Sequence, residues 1–498
     1  MTGVQTCALP IFDEKGLSKN LCNYVWNVLV STSKGYGFNA SHTLAYSLVG
    51  LQEMNLAFRF PIIFWNTACL ITDSGGVEDA DSEGKNNNYD KIATAIGKMK
   101  QAGISVMPPN VNKSQYTFYP DVEENKIVFG LRGMLNVGEE VISNIIKYRP
   151  YYSPKDFLQK VKPNKQAMIS LIKGGAFDEM EDRKFVMAWY IWETCDKKSR
   201  ITLQNMPGLI RYGLLPEDTE ERIMARRVYE FNRYLKAITK ADNCAYKDFY
   251  TLDTRALNFL NELGYDDLIE TDNLAWFIKA KAWDKVYQGW MNIFRNWIAE
   301  EKDSILQKLN ETIFMEDWNK YASGTISAWE MEALCFYYHD HELANVNVGK
   351  YGLADFFKLP EDPIVDRVFC KGDKEIKMFK LCKICGTCIA KDKNKSTVTL
   401  LTTTGVVTIK FRKEYFSIFD KQISEKNADG TKKVIEKSWF NRGNMILVQG
   451  IRSGDSFIPK KYASSGGHQL YKINDILDNG DLVLQTERYQ GGYEEDGD

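Results

Sequence analysis

The constraint that matters most in this sequence is a change of periodicity at Pro363. Upstream, apolar residues recur every three or four positions, as in Val25 and Leu29 and then Leu44, Leu48 and Leu51, which is the pattern of helices. Downstream, short β-prone runs appear at Lys383–Ala390, Thr397–Thr403, Val406–Phe411, Met445–Ile451 and Leu482–Thr486, parted by Gly, Asn, Asp and Lys turns. Helices first and strands afterwards predict a multidomain α+β chain, mostly helical, that ends in a small five-stranded barrel. The oligonucleotide/oligosaccharide-binding (OB) barrel is the obvious candidate.

With 498 residues the chain has room for three or four domains. The expected segments are 1–12, a non-native leader; 13–105, mainly helical; 106–178, short helices broken by Gly138, Pro150, Pro154, Pro163 and Gly174–Gly175; 179–362, helical; 363–489, the barrel; and 490–498, an acidic disordered tail. In the first of these Pro61 opens a second helix, and Asp73–Tyr89 is a polar loop whose Glu78, Asp79, Asp81 and Glu83 read as solvated rather than metal-binding. Lys plus Arg total 64 against 66 Asp plus Glu, a net charge of -2, so any surface for a polyanion has to be local. Ten cysteines are too scattered for a disulfide scaffold, which favours a reducing, cytoplasmic compartment. No apolar run approaches the roughly 20 residues that span a bilayer, so no membrane is expected as a partner.

Several side-chain sets could carry chemistry and mostly read as structural. His42, His339 and His341 belong to a total of four histidines, and two residues apart His339 and His341 fall on different helix faces, unlike a zinc-binding pair. Cys382, Cys385 and Cys388, with Cys370 upstream, have thiolate spacing, but on a strand residues three apart point to opposite faces. Trp276, Trp283, Trp290 and Trp297 repeat every seven residues, so one helix would carry them on one face, for burial or for stacking. No phosphate-cradling glycine motif, dinucleotide motif or paired strand aspartates are visible.

Two features suit a nucleic-acid backbone. In Gly130–Glu140 a tight turn ends at Gly138 and leads into the helix VISNIIKYR, which would present unpaired N–H groups to a phosphate, with Asn136 tolerating left-handed dihedrals. In the barrel, Lys391, Lys393 and Lys395 occupy a turn, and Lys410, Arg412 and Lys413 lie near Phe411 and Tyr415, combining charge with stacking surface.

At GYGFNASHTLAY, residues 35–46, followed by Gln52, Pro61 and Phe64, the chain resembles the fingers motif of C-family replicative DNA polymerase III alpha subunits of bacteria and phages. In the family's order, ISVMPPNVNKSQYTF is similar to its paired-proline segment, IVFGLRGMLNVGEEVISNII to its helix-hairpin-helix region, NKQAMISLIKGGAFD to the helix closing that region, and Glu332–Leu343 to the helix leading into an OB domain. The resemblance implies fingers at 13–105, a helix-hairpin-helix region at 106–178 and an OB domain at 363–489. It implies nucleotide or template positioning by Gly37, Phe38, Asn39, Ser41, His42 and Tyr46. Duplex primer-template DNA would meet Arg132, Asn136, Val137, Gly138 and Lys173, and a single-stranded template would meet Lys391, Lys393, Lys395, Lys410 and Arg412.

Some departures stand out. Ala40 replaces a frequent lysine, Asn136 replaces the first glycine of the hairpin's usual Gly-Val-Gly, and no clean sliding-clamp pentapeptide is present. In the family the palm, whose aspartates hold two magnesium ions, precedes the GYGF motif. The expectation is therefore a C-terminal half of a nucleotidyltransferase. It would need no cofactor of its own, and Mg2+ and deoxynucleoside triphosphates would meet the palm. A free-standing single-strand-binding or replisome scaffold module is the alternative.

Overall fold

The computed structural model describes residues 14–30, 40–74, 89–101, 103–238, 247–272, 275–371, 374–426, 432–462 and 467–489. The leader, the Glu78–Glu83 carboxylates and the acidic tail lie outside them. The chain forms two compact units, Met1–Met180 with Ile326–Asp498, and Glu181–Thr325.

After a short helix at Lys19–Tyr24 that runs on into Val25–Val30, the first unit continues with α1 (Ala40–Arg59), α2 (Ile62–Asp73), opened by Pro61, and α3 (Tyr89–Gln101). A three-stranded sheet follows from β1 (Ser105–Met107), β2 (Tyr119–Asp121) and β3 (Lys126–Val128), with β3 central. Three short helices come next, α4 (Glu139–Lys147), α5 (Pro154–Val161) and α6 (Lys165–Lys173). Their starts are local chemistry. Ser153 accepts the Asp156 N–H with Pro154 at the first turn, and Asn164 accepts the Ala167 N–H. Lys162 in the left-handed region ends α5.

In the second unit, α7 (Arg183–Thr194) and α8 (Glu220–Tyr234) precede β4 (Phe249–Leu252), α9 (Thr254–Glu262), β5 (Ile269–Asp272), β6 (Ala275–Lys279) and α10 (Ala280–Tyr321). Helical periodicity alone does not account for this unit, because β4, β5 and β6 join one antiparallel sheet. Trp276 therefore sits on β6 and only the other three tryptophans share α10, where Trp283 is fully buried, edge-on to Phe231, and donates its indole N–H to Asn232. Trp297 is buried as well, and Trp276 and Trp290 are half-buried against the neighbouring cores.

The chain re-enters the first unit with α11 (Ile326–Leu334), packed on α6. An exposed ribbon, β7 (Val365–Lys371) and β8 (Lys374–Phe379), leads into the barrel. The barrel strands are β9 (Cys382–Asp392), β10 (Thr397–Leu401) and β11 (Val406–Lys410). Then come α12 (Lys413–Asp420), a second hairpin of β12 (Ile423–Lys426) and β13 (Lys432–Glu436), β14 (Met445–Ser453) and β15 (Ser456–Pro459). The order β9-β10-β11-β15-β14 closes through β14 pairing with β9, and β11 runs parallel to β15. Val398, Leu400, Val407, Ile409, Val448, Phe457 and Trp439 fill the interior. The fifth strand differs from the expectation. Ser456–Pro459 closes the barrel, too short and too polar at its start to stand out by pattern, while β16 (Leu470–Ile476) and β17 (Leu482–Gln485) extend the sheet beyond it.

Candidate nucleic-acid interface

On α1, Ser41, His42 and Tyr46 are exposed, and one helical turn brings the His42 and Tyr46 rings to 4.7 Å, edge to face. The same helix exposes Leu44, Leu48, Leu51 and Phe58. Gly37, Phe38 and Asn39 lie outside the described residues.

The hairpin is held from behind by close backbone contacts. A Cβ on Gly130 would lie 2.4 Å from the Phe118 nitrogen and 2.4 Å from the Thr117 carbonyl carbon, so only glycine lets the two segments touch. Phe129 bridges Phe118 (4.7 Å) and Phe336 (5.6 Å), and the Leu135 N–H donates to the Ala333 carbonyl at 2.9 Å. At the front, Asn136 takes φ 60°, and its amide donates to Ser170 Oγ at 3.3 Å. Val137 is buried beneath the turn. Gly138 is the N-cap of α4 with no side-chain cap, and a Cβ there would meet nothing within 4 Å. The first-turn N–H groups thus point from an open backbone corner, the positive end of the helix.

Arg132 borders this corner. Its Nη1 lies 2.6 Å from Glu139 Oε1, the Tyr116 hydroxyl donates to the same oxygen at 2.9 Å, and the guanidinium lies 5.5 Å from the Tyr116 ring centre. The Arg132 and Tyr116 hydrogen bonds hold the exposed Glu139 carboxyl below the usual carboxylate range. A shallow cleft lined by Arg132, Asn136, Gly138, Glu139 and Asn164 is the result. The sequence pointed to Arg132 but not to its partners, because Tyr116 lies 16 residues away in a segment without periodicity. Lys173 is a correction: only 6% exposed and paired with Glu332, it ties α6 to α11 rather than facing outward.

The barrel lysines divide in the same way. Lys391 is also a correction, because its ammonium is 2.5 Å from Asp420 Oδ1 and within 3.3 Å of Ser438 and Asn441. Burial works against it, yet the bonds from Lys391 and Ser438 keep the Asp420 carboxyl below its ordinary range. Lys393 and Lys395 are 73% and 78% exposed, with acidic neighbours only at 3.5 and 3.9 Å. Lys410 and Arg412 are exposed at the end of β11 and the start of α12. The aromatics expected beside them as stacking surface turn inward instead: Phe411 is buried against Phe440 at 4.9 Å, and the half-buried Tyr415 covers it. Residues 363–489 carry 23 Lys and Arg against 14 Asp and Glu, a net of +9 in a chain of net -2. The basic character is local to this domain.

The remaining candidates are structural. β9 sends Cys388 into the barrel core and Cys385 to the opposite face, and burial pushes both thiols up to about 12. His341 accepts the Leu343 N–H on Nδ1 and faces the Leu401 carbonyl with Nε2 at 2.9 Å, a capping role, while His339 pairs with the fully buried Glu330 at 2.6 Å. Among the described residues no group of three or more His, Cys, Asp or Glu gathers as a metal site. No described helix is long and apolar enough to cross a membrane.

Comparison with known proteins agrees with this geometry. A sequence model described as a helix-hairpin-helix motif matches residues 103–186, the segment containing the Gly138 corner. The chain is 38% identical over 486 residues to a DNA-directed DNA polymerase of Bacillus phage SPbeta and to the probable DNA polymerase YorL of Bacillus subtilis, covering 95% of this chain and 37% of each of those proteins. It is 36% identical over 182 residues to the DNA polymerase III subunit alpha of Thermus aquaticus, covering 35% of this chain and 14% of that protein. The chain thus spans little more than a third of the length of its long-range relatives. Nearly the whole chain, a helix-hairpin-helix region ahead of a closed five-stranded barrel included, is thus similar to a part of two DNA polymerases, and about a third of it to a part of a DNA polymerase III alpha subunit.

Proposed function

We propose that this chain supplies the DNA-holding half of a templated DNA polymerase acting in the cytoplasm of a bacterial or phage-infected cell. The hairpin corner at Asn136–Gly138 grips duplex primer-template, the exposed barrel lysines follow the single-stranded template, and α1 offers His42 and Tyr46 toward the nucleotide. The observation that carries this reading is the uncapped, unobstructed N-terminus of α4 inside the region matched as a helix-hairpin-helix motif. Two magnesium ions need clustered carboxylates, and the described residues hold no such cluster. No step of nucleotide transfer is therefore assigned to these residues. In the intact polymerase, magnesium would neutralise the charge that develops on the triphosphate, and this chain's part is to hold the DNA in place.

The test is to mix the purified chain with a labelled primer-template, magnesium and deoxynucleoside triphosphates. Binding without primer extension is the expected result, and template-dependent extension that survives His42→Ala would contradict it. Failure to bind DNA at all would overturn the reading and favour a protein scaffold.

A further inference from the structure

We propose that the β7–β8 ribbon is a further single-stranded-DNA contact, a stacking arm set ahead of the barrel. This rests on the reading of the chain as a DNA-holding element. In the antiparallel register Arg367 stands opposite Met378, Phe369 opposite Ile376 and Lys371 opposite Lys374. Directly paired residues share a face, as do residues two apart on one strand. One face of the ribbon therefore reads Arg367, Phe369, Lys371 on one strand and Lys374, Ile376, Met378 on the other, with three cations, one aromatic ring and no acid. Glu375, by contrast, pairs with Cys370 on the opposite face.

The ribbon stands away from the domain. Every residue from Val365 to Cys370 is exposed, with Phe369 at 45% and Val368 at 51%. Its base is fixed, since the Phe379 N–H donates to the Tyr462 hydroxyl at 2.7 Å and Lys460 lies 4.8 Å from the Phe379 ring centre. Folding gains nothing from such an arrangement. Exposed Phe and Val forgo burial. Among the described residues, the exposed Asp366 is the acidic group beside Arg367, at 3.4 Å. A polyanion carrying flat apolar faces would offset this cost, and single-stranded DNA is that ligand: its bases are free to stack on Phe369 while its phosphates meet Arg367 and Lys371. Charge favours the same partner, because the domain that carries the ribbon is the basic one. The inward turn of Phe411 takes that ring away from the barrel lysines, and Phe369 supplies an exposed one.

The experiment is fluorescence anisotropy of the full chain with a labelled oligo(dT) and a matched duplex over a salt series. Phe369→Ala should weaken oligo(dT) binding by on the order of tenfold with an unchanged salt slope, and Phe369→Tyr should restore it. Arg367→Ala with Lys371→Ala should shallow the log–log slope by about 1.4 units. Duplex affinity and melting temperature should hold in all three. If wild-type chain binds oligo(dT) and the ribbon variants bind it identically, the arm is wrong while the wider reading stands; equal losses on duplex and single strand would also overturn the arm. If wild type binds neither probe, the wider reading falls first.

Discussion

The hairpin and the barrel offer a polyanion two different kinds of surface. At the hairpin the contact is main chain. Gly130 lets two backbone segments touch, Asn136 takes a left-handed turn, and Gly138 leaves the start of α4 open. At the barrel the contact is side-chain charge, carried by Lys393, Lys395, Lys410 and Arg412 on a domain of net +9. A backbone corner is tuned by shape and changes little with salt, whereas exposed cations release counterions and respond steeply to it. The two regions should therefore fail in different ways.

The largest expected effect is at Gly130. Gly130→Ala places a methyl carbon 2.4 Å from main-chain atoms that cannot swing aside, and should destabilise the first unit by about 3 kcal/mol. Gly138→Val, eight residues on, meets nothing within 4 Å and should cost only about 1 kcal/mol, the poorer N-cap preference of valine. Urea denaturation of both variants sharpens the claim; equal stability would show that the hairpin is not braced from behind.

Next is Lys391→Met against Lys393→Ala. Removing Lys391 leaves Asp420, 9% exposed, without its main cation, and should cost about 2 kcal/mol. Lys393→Ala should cost no stability. A reversed order of melting temperatures would break the division between an internal and an outward lysine.

The smaller effect is one of pH, and it belongs to the barrel side. Burial lowers His341 from 6.5 to about 4, so the folded chain holds the ring neutral while the unfolded chain protonates it below 6.5. Its contribution is fully present above that pH and is lost as pH falls toward 4, by about 1.5 kcal/mol between pH 6.5 and 5. His341→Gln should flatten that part of the stability profile, as followed by thermal melts across pH.

Much of this was legible in the sequence. The Gly138 turn, the Pro61 helix start and the alternating barrel strands are local signals, written in residues next to one another. The missing part is long-range pairing. Whether Lys391 faces water depends on Asp420, 29 residues on, and whether Lys173 does depends on Glu332, 159 residues on. Neither shows in a spacing rule. Phe411 is similar: the alternation of β11 sends Ile409 and Phe411 inward together, and only the closed barrel reveals which side is in. The ribbon face at Phe369 needed the register, because sequence alone does not say which residues oppose one another.

The central claim is that duplex and single strand are held at separate places. Its most direct test is anisotropy with matched duplex and single-stranded probes over a salt series, comparing Gly138→Val with the combined Lys393→Ala, Lys395→Ala and Arg412→Ala variant. The account predicts that Gly138→Val loses duplex binding and keeps single-strand binding, while the triple variant shallows the single-strand slope by about two units and leaves the duplex nearly untouched. Equal loss of both activities in both variants would contradict it.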